Sequence, residues 1–419
     1  MSTLVIEGGQ RLSGSVEVEG NKNAALPLLA ACLLTTEACV LTNVPRISDV
    51  EVMARLLLDL GAEVEGIGST TLRICCPEVV KDEPDGALVG RLRGSVLLLG
   101  PLLARRGRAY LGAPGGDFPA RRTISTHLEA LMVMGAQLVA GSGHRLEAPD
   151  GLKPTSMYLY EASVTGTETA LLAAAAAPGV SEIRHAACEP HVVELCVFLQ
   201  QLGVGITGAG TSTIRVEGGA KLRGAEHQLW GDYIEAGSWA VVGAVTGGEI
   251  EVRGARGEDM EVIAAVLKRM NIACALDGDV FRVEPSRLKA AGRIITGLWP
   301  GFPSDMVSLV TVLATQCEGQ TLVHDWMYEL RLFALEQLSS MDAARGLFLC
   351  DPHRIIVTGP MKLRGRPLDS RDLRSGMALI AAGLAADGQS RLAQLETVER
   401  GYGRLVERLQ ALGAKVAKV

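Results

Sequence analysis

The stretch LLLDLGAEVEG, residues 56–66, joins an apolar helix-like run to an alternating strand-like run through Gly61. The same pattern returns five times along the chain, with the position of Gly61 taken by Gly135, Gly203, Asn271, Asp342 and Gly413. Gly, Asn and Asp tolerate the left-handed backbone conformation that closes a helix before a strand. These positions recur at intervals of 68 to 74 residues, which predicts six copies of one α/β unit across the 419 residues.

Each predicted unit also contains an apolar segment rich in small residues, followed by a turn and an alternating run. One example is WAVVGAVTGGEIEVRGA, residues 239–255. Periodicity alone does not separate a buried helix from a buried strand, but a length of ten or more residues favours a helix. The content of Ala and Gly would let such helices pack closely. The pattern therefore predicts strand–helix–strand–helix–strand units in two lobes of three, against the alternative of an ordinary α/β protein with accidental spacing.

The composition predicts a large aliphatic core and excludes some classes of protein. Hydrophobic residues make up 48% and charged residues 21%, so disorder is disfavoured, whereas aromatic residues make up only 4%. The formal net charge of −6 argues against binding nucleic acid through overall basicity, although it allows a local basic pocket.

Neither a membrane span nor a secretion signal is predicted. The apolar runs at 24–34 and 169–180 are shorter than the ~18–20 residues that a span needs, and MSTLVIEGGQ has neither a basic nor an apolar signal region. The nine cysteines form no CxxC motif, and the neighbours Cys75 and Cys76 have poor geometry for a simple disulfide. We expect reduced thiols, a cytoplasmic location and no metal site.

Cations precede several of the predicted buried helices. Lys22 and Asn23 lie in GNKNAALP, residues 20–27, and Arg93 and Arg374 lead into two further apolar segments. A cation at a helix N-terminus is electrostatically unfavourable unless an anion is bound there. The pattern therefore indicates an anionic ligand, against the alternative of solvated residues at helix ends.

The segment APGGDFPARRTISTHLEAL, residues 113–131, begins with a loop rich in Gly and Pro that contains Asp117, Arg121 and Arg122, and a helix is expected to start near Ser125. Two arginines and an acid on such a loop suit a lid over an anionic ligand, although a solvated loop with self-paired charges fits as well.

Asp305 follows a turn with proline and precedes an apolar helix, so it could be a simple N-terminal cap. Glu189 and Arg331 stand at the starts of two further helices. Repeated cations at helix starts predict a converging anion site in the cleft between the lobes.

Several motifs together resemble the enolpyruvyl transferases. They include GNKNAALPLLAACLL (20–34), PGGD (114–117), FPSDM (302–306) and DLRSGMALIAAG (372–383), and the resemblance runs from about residue 3 to 419. It implies an α/β fold, a two-domain inside-out α/β barrel of six βαβαββ units. The implied lobes are 22–229, which carries the PGGD loop, and 1–21 plus 230–419, which carries Asp305 and Arg374.

The resemblance is strongest to the branch of the family that uses a UDP-sugar. It implies transfer of the enolpyruvyl group of phosphoenolpyruvate to the 3-hydroxyl of UDP-N-acetylglucosamine, by addition and elimination of phosphate, in peptidoglycan synthesis. Shikimate 3-phosphate fits these motifs less well as an acceptor. We expect a monomer without metal or organic cofactor, which binds neither nucleic acid nor membrane.

The resemblance also implies roles for individual residues. Phosphoenolpyruvate or phosphate is expected to be bound by Lys22, Arg93, Arg122 and Arg374, and both ligands by Asn23. Asp305 is the expected base for the acceptor hydroxyl, Asp117 the expected acid, and Lys22 is counted with them as catalytic. The remaining expected substrate contacts are Ser163, Val164, Glu189, Met327 through its backbone, and Arg331.

Asp117 stands where many members of the family carry a cysteine. A carboxylic acid can donate the same proton if its pKa is raised when the site closes. Fosfomycin alkylates the cysteine thiolate, and a carboxylate is a poorer nucleophile, so we expect insensitivity to fosfomycin.

The acceptor side departs further from the family. Glu161 replaces a lysine beside the diphosphate, Thr165 a glycine, Leu330 an asparagine and Tyr233 an arginine. One interpretation is a divergent cell-wall enzyme that compensates elsewhere, for example with Arg121. The alternatives are a paralogue that acts on a nucleoside monophosphate such as UMP in nucleoside-antibiotic synthesis, and a degenerate protein that only binds ligands.

Overall fold

The structure, a computed structural model, describes residues 2–115, 123–141, 143–342 and 348–419, the last range without the side chain of residue 348. Within these ranges the chain divides into two compact units. The described parts of residues 2–19 and 231–419 form the first, here called the Asp305 unit. The described part of residues 20–230 forms the second, here called the Lys22 unit.

Strands and helices alternate through the described residues. The strands are β1 (Thr3–Glu7), β2 (Ser13–Glu17), β3 (Cys39–Thr42), β4 (Glu63–Glu65), β5 (Thr71–Cys75), β6 (Arg108–Leu111), β7 (Gln137–Val139), β8 (His144–Glu147), β9 (Ser156–Tyr158), β10 (Gly179–Arg184), β11 (Gly205–Thr207), β12 (Thr213–Gly218), β13 (Glu226–Gln228), β14 (Glu249–Arg253), β15 (Cys274–Asp277), β16 (Val280–Val283), β17 (Gly292–Ile295), β18 (Gly319–His324), β19 (Phe348–Cys350), β20 (Arg354–Gly359), β21 (Pro367–Asp369), β22 (Gln389–Ala393) and β23 (Lys415–Lys418).

The α-helices are α1 (Lys22–Ala31), α2 (Ser48–Asp59), α3 (Gly86–Val89), α4 (Leu99–Arg106), α5 (Ser125–Val133), α6 (Val164–Ala176), α7 (Pro190–Leu202), α8 (Tyr233–Val245), α9 (Gly257–Arg269), α10 (Val307–Thr315), α11 (Gln337–Met341), α12 (Leu373–Ala385), α13 (Leu395–Glu399) and α14 (Leu405–Ala411). Short 3-10 segments lie at Cys32–Leu34, Arg93–Leu98, Ser304–Met306 and Arg331–Glu336.

The repeat predicted from the sequence is confirmed. The order β9–α6–β10–α7–β11–β12 is one complete βαβαββ unit, in which β10 runs parallel to β9 and antiparallel to β12. The sheet β17–β18–β20–β19 repeats this arrangement. The described residues contain five such four-stranded sheets and a three-stranded sheet of β6, β8 and β7.

Three of these sheets are completed by a strand from a distant part of the chain. β13 pairs in parallel with β3, and β2 pairs in parallel with β14. β1 lies between β22 and β23 and is antiparallel to both. The amino-terminal residues therefore contribute one strand to each of two sheets in the Asp305 unit.

The small-residue segments form the buried helices that their length predicted. In the Asp305 unit α8, α10 and α12 pack against one another, and every residue of α8 is buried. In the Lys22 unit α6 packs against α4, α5 and α7. A Cβ atom on Gly237 of α8 would lie 2.8 Å from Cε of Met306, so glycine permits this close approach. The close packing of small residues brings the starts of these helices near one another within each unit.

One of the six predicted turn residues differs from the others. Gly61, Gly135, Gly203, Asn271 and Gly413 have φ between 62° and 110°, as expected for a left-handed helix end. The prediction for Asp342 is wrong, because its φ is −75° and its ψ is 113°. It follows the five-residue helix α11 and makes an isolated bridge to Leu363, so the chain leaves that helix in an extended conformation.

Among the described residues, the helices are too short or too polar to cross a membrane. In the same ranges no group of three or more His, Cys, Asp or Glu side chains has the arrangement of a metal site. The nine cysteines are all free thiols.

Candidate active site

Asp305 lies in the 3-10 turn before α10 and is held by two arginines. Its Oδ2 accepts hydrogen bonds from Nε and Nη2 of Arg374 at 3.1 and 3.0 Å, and its Oδ1 accepts one from Nη1 of Arg331 at 3.1 Å. The interpretation of Asp305 as an N-terminal cap is wrong, because no side chain caps either the turn or α10. The carboxylate instead carries 27% exposure between two nearly buried guanidinium groups.

Arg374 is fixed at the start of α12 by the residues around it. The side chain of Asp372 caps the helix and accepts hydrogen bonds from the backbone N–H groups of Arg374 and Ser375, both at 2.9 Å. Nη1 of Arg374 donates to the hydroxyl of Tyr402 at 3.2 Å. Burial, the largest single effect, lowers the pKa of this guanidinium, but Asp305, Tyr402 and Asp232 together outweigh it, so the pKa lies above its ordinary value. Arg374 is therefore a permanent buried cation.

Arg331 is tied to a second hydrogen-bonded network. Its Nη1 also donates to Oγ of Ser304 at 2.7 Å, and Ser304 donates to Oδ2 of the fully buried Asp325 at 2.7 Å. The other oxygen of Asp325 accepts the backbone N–H of Met327 at 3.2 Å. Burial is the largest single effect and lowers the pKa of Arg331, but the neighbouring groups, Asp305 foremost, together raise the pKa above its ordinary value. The structure thus joins three of the predicted residues, Asp305, Arg331 and Arg374, and connects Met327 to them.

Lys22 is the first residue of α1 in the Lys22 unit. The side chain of Asn21 caps this helix by accepting the backbone N–H of Asn23 at 2.8 Å. Nζ of Lys22 pairs with Oδ2 of Asp49 at 2.9 Å, and their side chains are only 10% and 5% exposed. The ion pair keeps a charged lysine in a nearly buried position at a helix start, which is a place suited to an anion.

Arg93 begins the 3-10 segment before α4, and its Nη2 donates to the backbone oxygen of Thr123 at 2.7 Å. His127 is buried and lies close enough to Arg93 to be affected by its charge. Burial, and then this charge, lower the pKa of His127 to about 3. Its ring nitrogens lie 2.8 Å from Oγ1 of Thr169 and 3.1 Å from Oγ1 of Thr165. The neutral imidazole therefore connects α5 to the first two turns of α6.

Two carboxyl groups lie beside this part of α6. Ser163 caps α6 and accepts the backbone N–H of Gly166 at 3.1 Å, which places Val164 at the first helical position. Glu168 is 1% exposed, and its Oε1 has no hydrogen-bond partner. Burial, and then the charge of Glu189 at the start of α7, raise the pKa of Glu168 well above its ordinary value. Burial therefore favours the protonated form of Glu168, which lies beside the predicted substrate-binding residue Glu189.

Four departures from the family lie in the described residues. Glu161 is exposed, and Thr165 makes the contact with His127. Leu330 has φ of +69°, a conformation that asparagine adopts more readily than leucine. Tyr233 is buried, and its ring lies 5.4 Å from that of Trp299 in an edge-to-face arrangement. The predictions for Asp117, Arg121 and Arg122 fall outside the described residues.

Sequence reasoning missed four residues that hold the site together: Asp49, His127, Asp325 and Tyr402. Asp49 and Tyr402 had no distinguishing local pattern. His127 and Asp325 stand next to segments that were singled out, and each is a polar residue beside the start or end of a buried element. Such a residue needs a partner, and that signal could have drawn attention to both.

The comparisons place this geometry in a known family. The sequence model of the family EPSP synthase (3-phosphoshikimate 1-carboxyvinyltransferase) matches residues 6–409. The chain therefore belongs to the EPSP synthase family of enolpyruvyl transferases, and the resemblance found in its motifs is confirmed.

Relatives within the family match the chain over its whole length. A UDP-N-acetylglucosamine 1-carboxyvinyltransferase from Bradyrhizobium diazoefficiens is 43% identical, and the match covers 99% of this chain and 97% of that protein. One of the same name from Borreliella burgdorferi is 39% identical, with 100% and 99% covered. The solved structure of the enolpyruvyl transferase NikO from Streptomyces tendae is 26% identical, covers 100% of this chain and 99% of NikO, and has a TM-score of 0.90. The fold predicted from the sequence is confirmed by this match.

Proposed function

We propose that this protein transfers the enolpyruvyl group of phosphoenolpyruvate to the 3-hydroxyl of UDP-N-acetylglucosamine and releases phosphate. The observation that carries the proposal is the contact of Asp305 with the two guanidinium groups of Arg331 and Arg374, in a chain that is 43% identical to an enzyme of that name. A carboxylate that can accept a proton and cations that can hold an anion are the groups that this reaction needs.

The proposed reaction begins with protonation of C3 of phosphoenolpyruvate, for which Asp117 is the proposed acid. C2 then becomes electrophilic, and the acceptor oxygen attacks it as Asp305 takes the hydroxyl proton. In the resulting tetrahedral ketal a proton leaves C3 and returns to the Asp117 carboxylate, the double bond between C2 and C3 forms again, and the bond from C2 to the phosphate oxygen breaks, so that phosphate is released. General acid and base catalysis of this kind typically contributes ~10²–10⁴-fold to the rate.

Cations stabilise the negative charge of the phosphate and carboxylate throughout the proposed reaction. We assign this role to Lys22, Arg93, Arg122 and Arg374, and a contact with both ligands to Asn23. Lys22 and Arg374 are nearly buried, so their charges are poorly screened by water and are fixed before the ligand arrives. Ser163, Val164, Glu189, Arg331 and the backbone of Met327 are assigned to binding the substrates.

The proposal also accounts for how Asp305 becomes available as a base. Both of its oxygens accept hydrogen bonds from arginines in this structure. An anionic ligand competes for the same guanidinium groups, and each hydrogen bond that it takes frees a carboxylate lone pair for the acceptor proton. Binding of phosphoenolpyruvate would thus activate the base.

Several finer points belong to the same proposal. Cytoplasmic location, a monomeric state, nucleotide binding and insensitivity to fosfomycin are predictions from the sequence and from the family. They are consistent with a role in peptidoglycan synthesis.

A second candidate acceptor is a nucleoside monophosphate such as UMP. The exposed Glu161, in the place of a lysine beside the diphosphate, favours this candidate because a second phosphate group would be repelled by the carboxylate. The intact set of Lys22, Arg93, Asp305 and Arg374 fits either acceptor, and is not expected in a protein that has lost catalysis.

Release of phosphate from phosphoenolpyruvate in the presence of each acceptor tests the proposal. We expect release with UDP-N-acetylglucosamine. Release with UMP alone would establish the second candidate, and no release with any acceptor would contradict both. A product three carbon atoms larger than the acceptor, with an enol ether on its hydroxyl, should appear in the mass spectrum.

A further inference from the structure

Glu194 is a buried acid of α7 that has no assigned role in the proposed reaction. Its side chain is 1% exposed, and its Oε1 accepts the backbone N–H of Trp230 at 2.8 Å. Trp230 is the last residue of the Lys22 unit. An acid is rarely buried to this extent unless hydrogen bonds satisfy it, so the contact with Trp230 is part of what keeps Glu194 inside the protein.

The carboxyl group of Glu194 is held in place by a buried histidine. Nε2 of His227 lies 3.1 Å from the same Oε1, to which a ring nitrogen can only donate. The other ring nitrogen lies 3.1 Å from Oε1 of Gln201, and the ring centre lies 5.6 Å from that of Phe198. Since these partners are on α7 and His227 is on β13, the contacts fix the carboxyl group between a helix and a strand.

Trp230 connects Glu194 to the start of α1. The backbone oxygen of Trp230 accepts the N–H of Asn21 at 2.8 Å. The side chain of Asn21 accepts the N–H of Asn23 at 2.8 Å, and its backbone oxygen accepts two further N–H groups of the first turn, at 3.1 and 2.9 Å. A continuous series of hydrogen bonds therefore runs from Glu194 to the helix whose first residue is Lys22.

The residue before Asn21 is closely packed as well. A Cβ atom on Gly20 would lie 2.0 Å from the backbone oxygen of Asn43 and 2.9 Å from Cβ of Leu229. Nδ2 of Asn43 in turn donates to the backbone oxygen of Leu229 at 2.9 Å. The segment before α1 has no spare room, so a displacement of Trp230 is transmitted to Asn21 instead of being absorbed.

We infer that Glu194 is a positioning residue for the anion site at the start of α1. Its carboxyl group fixes Trp230, Trp230 fixes Asn21, and this series sets the place of Lys22. The inference rests on the proposed function and deepens it, because it adds a residue that determines how well Lys22 and Asn23 meet phosphoenolpyruvate. Small errors in the position of such groups lower binding and rate strongly, since electrostatic stabilisation depends on groups that are fixed beforehand.

Two variants of Glu194 and one control variant test the inference. Glu194→Met has a similar length and removes both acceptor oxygens, whereas Glu194→Gln keeps an oxygen that can accept from Trp230. Ile214→Ala is the control, because it removes buried apolar volume from β12 of the same unit and takes no part in these hydrogen bonds. Phosphate release gives kcat and the KM of each substrate, and urea unfolding gives the stability that each variant loses.

We expect Glu194→Met to raise the KM of phosphoenolpyruvate about tenfold, which is the effect of losing one buried hydrogen bond. The KM of the acceptor should change less, since only Asn23 of this segment is assigned to it. Glu194→Gln should restore the wild-type KM, and Ile214→Ala should keep it despite its loss of stability. An unchanged KM of phosphoenolpyruvate in Glu194→Met would overturn the inference, as would an equal rise in Ile214→Ala.

Hydrogen exchange tests the inference without turnover. The amides of Asn21 and Asn23 should exchange about tenfold faster in Glu194→Met, relative to the amides of α6, and at the wild-type relative rate in Glu194→Gln and Ile214→Ala. Should Glu194→Met fail to fold, His227→Phe takes its place, because it removes only the hydrogen bond that orients Glu194. We then expect a rise of about threefold in both quantities, and unchanged values would overturn the inference.

The two measurements separate this inference from the proposed function. If the wild type turns over, and neither the KM nor the relative exchange rates change in Glu194→Met, only the inference fails. If the wild type releases no phosphate with either acceptor, but Glu194→Met speeds exchange at the start of α1, only the proposed reaction fails. If the wild type does not turn over and exchange is unchanged in Glu194→Met, both are wrong.

Discussion

Arg374 contacts Asp305 with two of its guanidinium nitrogens, Nε at 3.1 Å and Nη2 at 3.0 Å from the same carboxylate oxygen. Residue 374 is the second of α12 and residue 305 precedes α10, so the contact joins the starts of two buried helices that pack against each other. The Arg374 side chain is 6% exposed and that of Asp305 27%, which leaves the carboxylate, rather than the guanidinium, open to a substrate.

Replacing Asp305 with Asn should remove the proposed base while keeping a side chain of the same shape. We expect kcat to fall by ~10²–10⁴-fold. We also expect a loss of about 2 kcal/mol in the free energy of unfolding, because two nearly buried arginines lose their counter-charge. Phosphate release and urea unfolding measure the two effects. Asp351→Asn is the control, since it removes an acid that pairs with Arg354 on the surface. A kcat near the wild-type value in Asp305→Asn would show that another group is the base.

His127 should make the stability depend on pH on the acidic side. Its pKa is lowered by burial from 6.5 to about 3, so the unfolded chain takes up a proton between these values and the folded protein does not. The free energy of unfolding should therefore fall as the pH falls from about 6.5 towards 3, by up to about 1.4 kcal/mol per pH unit from this residue. His127→Gln should remove this contribution.

Urea unfolding of the wild type and of His127→Gln at pH 7, 6 and 5 measures the difference in slope. Met132→Gln, an exposed change on the same helix, is the matched control and should keep the wild-type slope. Parallel curves for the wild type and His127→Gln would mean that the imidazole is protonated in the folded protein.

Glu168 should make the free energy of unfolding depend on pH in the direction opposite to that of His127. Burial and then Glu189 raise its pKa, so the folded protein keeps a proton that the unfolded chain loses as the pH rises above the ordinary value for glutamate. Its contribution to stability is complete at low pH and declines with increasing pH. Glu168→Gln should therefore be more stable than the wild type at pH 8, with the difference closing towards pH 4.

A second variant distinguishes two effects of Glu168 on stability: the pH-dependent effect of its titrating proton and the cost of leaving Oε1 without a hydrogen bond. Glu168→Met removes both carboxyl oxygens and should add about 1–3 kcal/mol at every pH, because an unsatisfied buried polar group costs about that much. Unfolding curves at pH 4, 6 and 8 give both comparisons. A wild type that is more stable than Glu168→Gln at pH 8 would indicate an ionised and paired Glu168.

Fosfomycin should not inactivate the wild-type protein, since the proposed acid is Asp117 instead of a cysteine. Asp117→Cys should retain phosphate release and gain time-dependent inactivation, with a mass increase of one fosfomycin molecule on residue 117. The nine natural cysteines provide the internal control, because none of them should be labelled in the wild type. Rapid covalent inactivation of the wild type would refute the assignment.

The sequence allowed the fold to be predicted because its signals are local and repeated. Helix ends such as Gly61 and Gly203 are fixed by backbone sterics, and the buried helices by runs of small apolar residues. Asp342 was predicted wrongly because an aspartate also suits an extended backbone, and the five-residue helix before it gives little local constraint.

The candidate site was less predictable, since its partners are far apart in the chain. Arg374, Asp305 and Arg331 could be named individually, but their mutual contacts depend on how α10 and α12 pack. The partner of Lys22, Asp49, lies on a different helix and looks in the sequence like any acid in a first helical turn. Local patterns do not carry this kind of information.

The position of β1 determines when each unit can fold during synthesis on the ribosome. β1 precedes the other described strands in the chain but pairs with β22 and β23, which are translated about 390 and about 410 residues later. The Lys22 unit has all its strands once residue 228 has emerged, so it can fold during translation, whereas the Asp305 unit must wait for its closing strands. Through most of translation, the nascent chain therefore carries an exposed apolar strand, Leu4 and Ile6 among its residues, which a chaperone would need to shield.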